Sequence, residues 1–149
     1  MKIASIWVIA VVFATLAIGQ GLFAGDRATV GDADVLFING NPGVVFEATE
    51  YRRDAEGWTP GTDDLQAAED EVMAVAVSDD RDPVLFGYRQ YAGYMEDGER
   101  KIVIHSMCKP LDGWGQSFLI VLDGGPCFWQ AAYNADTGEV ETFYVNGQA

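Results

Sequence analysis

Apolar and polar positions in the last third of the chain fall into short runs with turn residues between them. Residues 102–104 (Ile-Val-Ile), 118–122 (Phe-Leu-Ile-Val-Leu), 127–133 (Cys-Phe-Trp-Gln-Ala-Ala-Tyr) and 140–145 are rich in β-branched and aromatic side chains, and Gly, Asp, Asn and Pro separate them. The pattern predicts consecutive strands of an antiparallel meander. A further strand is predicted over 84–95, with Tyr88, Tyr91 and Tyr94, and Asp97-Gly98 then marks a two-residue hairpin turn. With that turn, Met95 faces Arg100, Gly93 faces Ile102 and Tyr91 faces Ile104, so the last two pairs share a face that the isoleucines mark as buried. The final hairpin turns at 134–138, where Gly138 takes the left-handed position.

Helical periodicity occurs in one stretch. Leu65, Ala68, Val72 and Val75 or Ala76 recur at helical spacing, whereas Gln66, Glu69, Asp70 and Glu71 lie mostly off that stripe. Thr59 or Thr62 as cap, Pro60 in the first turn, and Asp63 and Asp64 against the helix dipole predict the start; Pro83 enforces a stop, and the helix is expected to end near Val77. On this reading Val72→Asp unfolds the domain and Glu69→Lys is nearly silent.

Upstream, residues 35–38 and 44–51 read as strands around the turn cluster 39–43 (Asn-Gly-Asn-Pro-Gly). Residues 25–34 read as a linker; Asp32 and Asp34 lack the glycine and terminal glutamate of a calcium loop at the required spacing. Lys2 followed by a charge-free apolar run from Ile3 to Ile18 and small residues at Gly19, Gly21 and Ala24 has the build of a secretory signal peptide over 1–24, with an uncleaved anchor as the alternative. Ala17-Ile18-Gly19 fits the small-x-small exit best. Residues 35–149 are then a single domain placed in the periplasm or outside the cell, with no membrane contact once the signal is removed.

A strand, a helix and a meander predict an α+β fold in which the helix covers one face of a curled antiparallel sheet of four to five strands, as in a cystatin-like roll. The alternative is a small β-barrel or sandwich with a peripheral helix. Such folds carry little information about function by themselves.

Composition narrows the partners. The 149 residues hold 9 Lys and Arg against 23 Asp and Glu, a net charge of −14, which opposes nucleic-acid phosphates and excludes that class of ligand. An acidic surface attracts a basic protein, a cationic peptide or divalent cations, and it equally serves solubility or a saline habitat.

From Tyr51 onward the chain resembles a group of uncharacterised secreted bacterial proteins. The resemblance rests on the Trp-Thr-Pro helix start, on Arg89-Gln90-Tyr91-Ala92-Gly93, on Asp123-Gly124-Gly125-Pro126-Cys127-Phe128-Trp129, and on the closing Asn146-Gly147. It implies an exported domain over about two thirds of the chain, and it assigns no activity and no catalytic residue.

Motifs for chemistry are missing: there is no phosphate-cradling glycine loop, no Gly-x-Ser-x-Gly, no His-Glu-x-x-His and no Cys-x-x-Cys, and a single histidine rules out the common multi-histidine metal sites. No cofactor, metal or catalytic residue is assigned. His105 with Asp123 and Ser106 or Cys108 is the one conceivable hydrolytic set, but His105 and Ser106 are adjacent on a strand and point to opposite faces. His105 is therefore expected to be a partly exposed strand residue. The aromatic residues Trp58, Trp114, Phe128 and Trp129, with His105, form the candidate binding set. An outward ring of the Phe128-Trp129 pair would stack a carbohydrate or anchor a protein, whereas rings folded back over the core would only close its ends. The reading favoured on these grounds is a secreted non-enzymatic binding or inhibitory module; a small extracellular hydrolase using His105 and nearby carboxylates is the alternative.

Two cysteines in an exported chain predict the bridge Cys108–Cys127, which closes a ring of about 20 residues and contributes roughly 3 kcal/mol in the chain-entropy model. A strand at 118–122 between them would hold them apart, so the bridge requires either that 109–116 runs back along the sheet or that 123–125 is a kink. N-terminal sequencing of exported material should begin at Gln20; a full-length, membrane-bound product would overturn cleavage.

Overall fold

The computed structural model describes residues 28–30 and 33–147; the signal segment 1–24 and its cleavage point lie outside the described residues. A short strand, β1 (Ala28–Val30), pairs antiparallel with β2 (Ala33–Ile38), so part of the stretch expected to be a linker is hydrogen-bonded. Asn39-Gly40, both at positive φ (51° and 80°), turn the chain into β3 (Asn41–Phe46). The expected strand over 44–51 therefore starts earlier and stops at Phe46. Ala48–Tyr51 forms one helical turn, α1, that buries Ala48.

The connection that follows carries α2 (Thr62–Val77) and returns the chain to β4 (Tyr88–Glu96), which pairs parallel with β3. A crossover of this length permits parallel pairing where a tight turn could not. The cap of α2 is Gly61, whose N–H is taken by Asp64 Oδ2 at 2.8 Å; neither threonine caps. Asp97-Gly98 (φ 55° and 81°) makes the hairpin to β5 (Glu99–Met107), with Met95 opposite Arg100, Gly93 opposite Ile102 and Tyr91 opposite Ile104, as the turn signal predicts. β5 pairs along its length with β6 (Phe128–Asn134), and a turn with Gly138 at φ 77° leads to β7 (Glu139–Val145).

The fold is α+β, with one long helix on a six-stranded mixed sheet, β2 to β7, that β1 extends. It is not the cystatin-like roll: the sheet has six strands instead of four or five, and the β3–β4 pair is parallel because the helical crossover lies between them. Nor is it the alternative barrel, since no ladder joins β7 to β2. The sheet nevertheless curls, and α2 approaches β2 and β7, which stand at opposite ends of the six strands.

Residues 118–122 are not a strand. β5 and β6 are direct neighbours, which leaves no slot between them, and Cys108 and Cys127 are bridged with Cα atoms 5.0 Å apart. Gly124 and Gly125 take left-handed φ (103° and 64°) and kink the chain into a short 3-10 turn, Gly125–Cys127, so the bridge forms by the kink. The segment 109–124 is thereby laid over the sheet face opposite α2. Both faces are buried: Leu65, Ala68, Val72, Tyr91, Ile102, Ile104 and Trp129 on the helix side, and Phe46, Ala92, Val103, Trp114, Phe118 and Phe128 on the loop side.

The helix side holds a charge. Arg89 and Glu69 have fully buried side chains, and Glu69 Oε1 accepts from Arg89 Nε (2.9 Å) and from Tyr91 Oη (2.9 Å). Arg89 also donates to Ser106 Oγ (2.7 Å) and Leu85 C=O (2.6 Å), and its guanidinium lies 4.7 Å from the Trp129 ring. Glu69 thus belongs to the docked face of α2, and its replacement by lysine is not silent. Two cations would face each other without water, and removing one partner of a buried pair costs roughly 3–5 kcal/mol. In denaturant titrations Glu69→Lys should match or exceed the destabilisation of Val72→Asp; a loss below about 1 kcal/mol would show that this pair is not withdrawn from water.

Candidate functional site

Successive strand residues point to opposite faces, so Gln90, next to Arg89, serves the loop side. Its Nε2 donates to the carbonyls of Trp114 (2.6 Å) and Ser117 (2.8 Å), and its Oε1 accepts from Leu119 N–H (2.8 Å). His105, opposite Gln90 across the β4–β5 pair, has Nδ1 3.4 Å from the same Oε1 and its ring centroid 6.1 Å from that of Phe118. At the far end of the loop, Asn146 Nδ2 donates to the carbonyls of Val121 (2.5 Å) and Asp123 (3.0 Å). A buried glutamine and a buried asparagine therefore clasp the loop main chain, and the bridge closes its base.

His105 is not partly exposed; it is 1% accessible. The loop covers the face on which it stands, which a half-solvated sheet would have left open. Burial pushes its pKa down to about 4, with a hydrogen bond to the Leu119 main chain opposing, so the ring is neutral near pH 7. Its Nε2 makes no hydrogen bond among the described residues. The hydrolytic set is not assembled: Ser106 accepts from Arg89 on the other face, Cys108 is bridged, and the side-chain neighbour of His105 is an amide in place of a carboxylate. Among the described residues no three of His, Cys, Asp and Glu are grouped to hold a metal ion.

The aromatic candidates are mostly folded inward. Trp129 packs under α2 with its Nε1 donating to Val84 C=O (2.9 Å), and Phe128 lies in the loop-side cluster. Trp114 is buried against Tyr88, ring centroids 5.0 Å apart. Trp58 is half-buried, its Nε1 donating to Lys101 C=O (3.1 Å) and the Arg100 guanidinium 5.1 Å from its ring. The structure therefore does not bring Trp58, Trp114, Phe128, Trp129 and His105 to one surface.

What reaches solvent instead is a set of apolar side chains that the sequence reading passed over. Phe86 is 76% exposed, Leu122 76% and Ile120 60%. Phe86 is on the loop entering β4, and Ile120 and Leu122 are on the loop between β5 and β6; at the bridged end of the sheet Val84 N–H donates to Pro126 C=O (2.8 Å) and Cys108 N–H to Cys127 C=O (3.0 Å). The strand expected over 84–95 begins only at Tyr88, which leaves Phe86 on the loop between Pro83 and Gly87. Away from this end, an open cavity of about 300 Å³ lies between β2, β3 and the start of α2, with Leu36, Val45 and Leu65 among its walls and Asp34 at its edge.

Comparison with known families, with curated proteins and with solved structures finds no match for this chain.

The histidine sets a pH dependence. Its pKa is about 4 when folded and 6.5 ordinarily, so between those values the unfolded chain binds the extra proton and stability falls as pH falls. Asp79 and Glu96 are held low by side-chain hydrogen bonds from Arg81 and Arg52, Glu141 by one from Lys101, and Asp136 by the Arg100 main chain; they lose their contributions at lower pH. Unfolding free energy should drop by roughly 2–3 kcal/mol from pH 7.5 to 4.5 through His105 alone. His105→Leu should remove that part of the slope, and an unchanged slope would assign it elsewhere.

Proposed function

We propose that this chain is an exported, non-enzymatic binding module that takes a basic protein or peptide at the bridged end of its sheet. The observation that carries the reading is the exposure of Phe86 on the loop entering β4 and of Ile120 and Leu122 on the loop between β5 and β6, two loops held at the bridged end by main-chain hydrogen bonds and a disulfide. Apolar side chains held in the open by a rigid frame favour burial against a partner, at about 1.5–3 kcal/mol for each one fully covered. The bridge supports an oxidising compartment, and no helix among the described residues is long and apolar enough to cross a membrane. The partner's charge follows from the chain's own: at −14, with Asp80 and Asp82 on the adjoining turn and Asp123 beside Leu122, the surroundings favour a cationic surface.

The aromatic sheet face drops out as the contact because its rings are covered, which also weakens a carbohydrate as ligand. The hydrolase reading loses its base to burial.

Pull-down from periplasmic or culture extract with the wild-type protein and with Phe86→Asp tests the proposal. Phe86 is largely in solvent, so the variant should fold with a stability change within about 0.5 kcal/mol. A basic protein should be captured by the wild type at low salt, released at high salt and lost with the variant. Capture indifferent to both salt and Phe86 would overturn the reading.

A further inference from the structure

Residues 118–122 (Phe-Leu-Ile-Val-Leu) have the composition of a strand and no strand beside them. Phe118, Leu119 and Val121 pack on the loop-side core, while Ile120 and Leu122 face water. From Leu119 onward this is the period of two of a β-strand. Among the described residues, no main-chain hydrogen bond joins the run to another segment. The groups that are engaged belong to alternate residues: Leu119 N–H goes to Gln90 Oε1, and Val121 C=O accepts from Asn146 Nδ2. In a strand the N–H and C=O of one residue point to the same side and those of the next residue to the other. One lateral side is therefore taken by Gln90 and Asn146. The other side, with the N–H and C=O of Ile120 and Leu122, has no partner among the described residues.

We propose that residues 118–122 are a docking strand, to which an extended segment of a basic partner adds by main-chain pairing with Ile120 and Leu122. The proposal rests on the binding-module reading above and specifies how the partner is held. Strand addition takes its affinity from main-chain hydrogen bonds and its selectivity from alternate side chains. Here the alternate side chains on offer are apolar, and the charges flanking them are Asp123 and Asp112 against Lys109. A second copy of the chain would bring the same −14 and be repelled, whereas a segment alternating basic and apolar residues matches both the field and the exposed isoleucine and leucine. The strand is held in advance by Gln90, Asn146 and the bridge, so little ordering cost remains to be met on binding.

The test uses the whole domain with its disulfide intact and three synthetic probes: an acetylated (Lys-Val)4 peptide, its Glu-Val counterpart, and (Lys-Val)4 N-methylated at alternate residues. Calorimetry at low salt should show the Lys-Val peptide binding at least tenfold more tightly than either of the others. Hydrogen exchange should find the amides of Ile120 and Leu122 open in the free protein and slowed at least tenfold by that peptide. Ile120→Pro, which removes one donor at an exposed position, should weaken binding at least tenfold, with Leu122→Pro as the second variant should the first misfold. No binding of the Lys-Val peptide, or amides already protected in the free protein, overturns the docking strand. Protection that grows with protein concentration alone makes a second copy the occupant and overturns the basic partner. Binding that depends on salt and on Phe86 but is indifferent to N-methylation and to both proline variants overturns strand addition while leaving the binding module standing; loss of the Phe86-dependent capture as well removes both.

Discussion

A guanidinium taken wholly out of water must be answered on every side, and the fold is arranged around the answer to Arg89. Glu69 meets it from α2, Ser106 from β5, the Leu85 carbonyl from the chain entering β4, and the face of Trp129 from β6. Four segments therefore have fixed positions relative to one side chain. Apolar packing alone would allow α2 to slide along the sheet, because a stripe of Leu, Ala and Val is tolerant of small shifts. The ion pair is not tolerant, since a misplaced helix leaves a charge buried without its counter-charge.

The neighbouring residue does the corresponding work on the other side. Gln90 points away from the helix and fastens a loop that has no regular structure, using both ends of its amide. Two consecutive residues of one central strand thus hold the two outer layers, one by charge and one by amide hydrogen bonds. The loop side is closed by main-chain atoms and rings in place of a second helix. That arrangement accounts for the inward rings of Trp114 and Phe128 and for the neutral, buried His105. Phe86, Ile120 and Leu122 are among the large apolar side chains left facing water.

Much of the local structure was legible in the sequence. The Asp97-Gly98 turn gave a register that the β4–β5 ladder follows pair by pair, the stripe through Leu65 and Val72 located α2 to its last residue, and the pair of cysteines found each other. Strand order was harder. Residues 118–122 have every local mark of a strand, and only the direct pairing of β5 with β6 excludes them; local propensity cannot register a competitor that wins at long range. Glu69 was read as solvated because a carboxylate beside an apolar stripe usually is, and its burial depends on Arg89, 20 residues away. The available signal was Arg89 itself. A charged residue followed by glutamine near the start of a tyrosine-rich strand demands partners from other layers, and the sequence supplies few acids on apolar faces to serve it.

The curl of the sheet bears on how the chain reaches this state. α2 lies mid-sequence yet touches β2, near the start of the domain, and β7, its last strand. The Glu69–Arg89 contact closes a short loop, but the stripe of α2 is covered only after β6 and β7 have formed. Much of the native packing joins residues far apart in sequence, a topology that carries a high loop-closure cost and is associated with slow folding. As the chain emerges from its N-terminus, the helix stripe and the β4–β5 hairpin, complete at Met107, wait for the rest of their cover until β7 ends at Val145, a long interval for an apolar surface to stay solvated. Assembly waits on Val145.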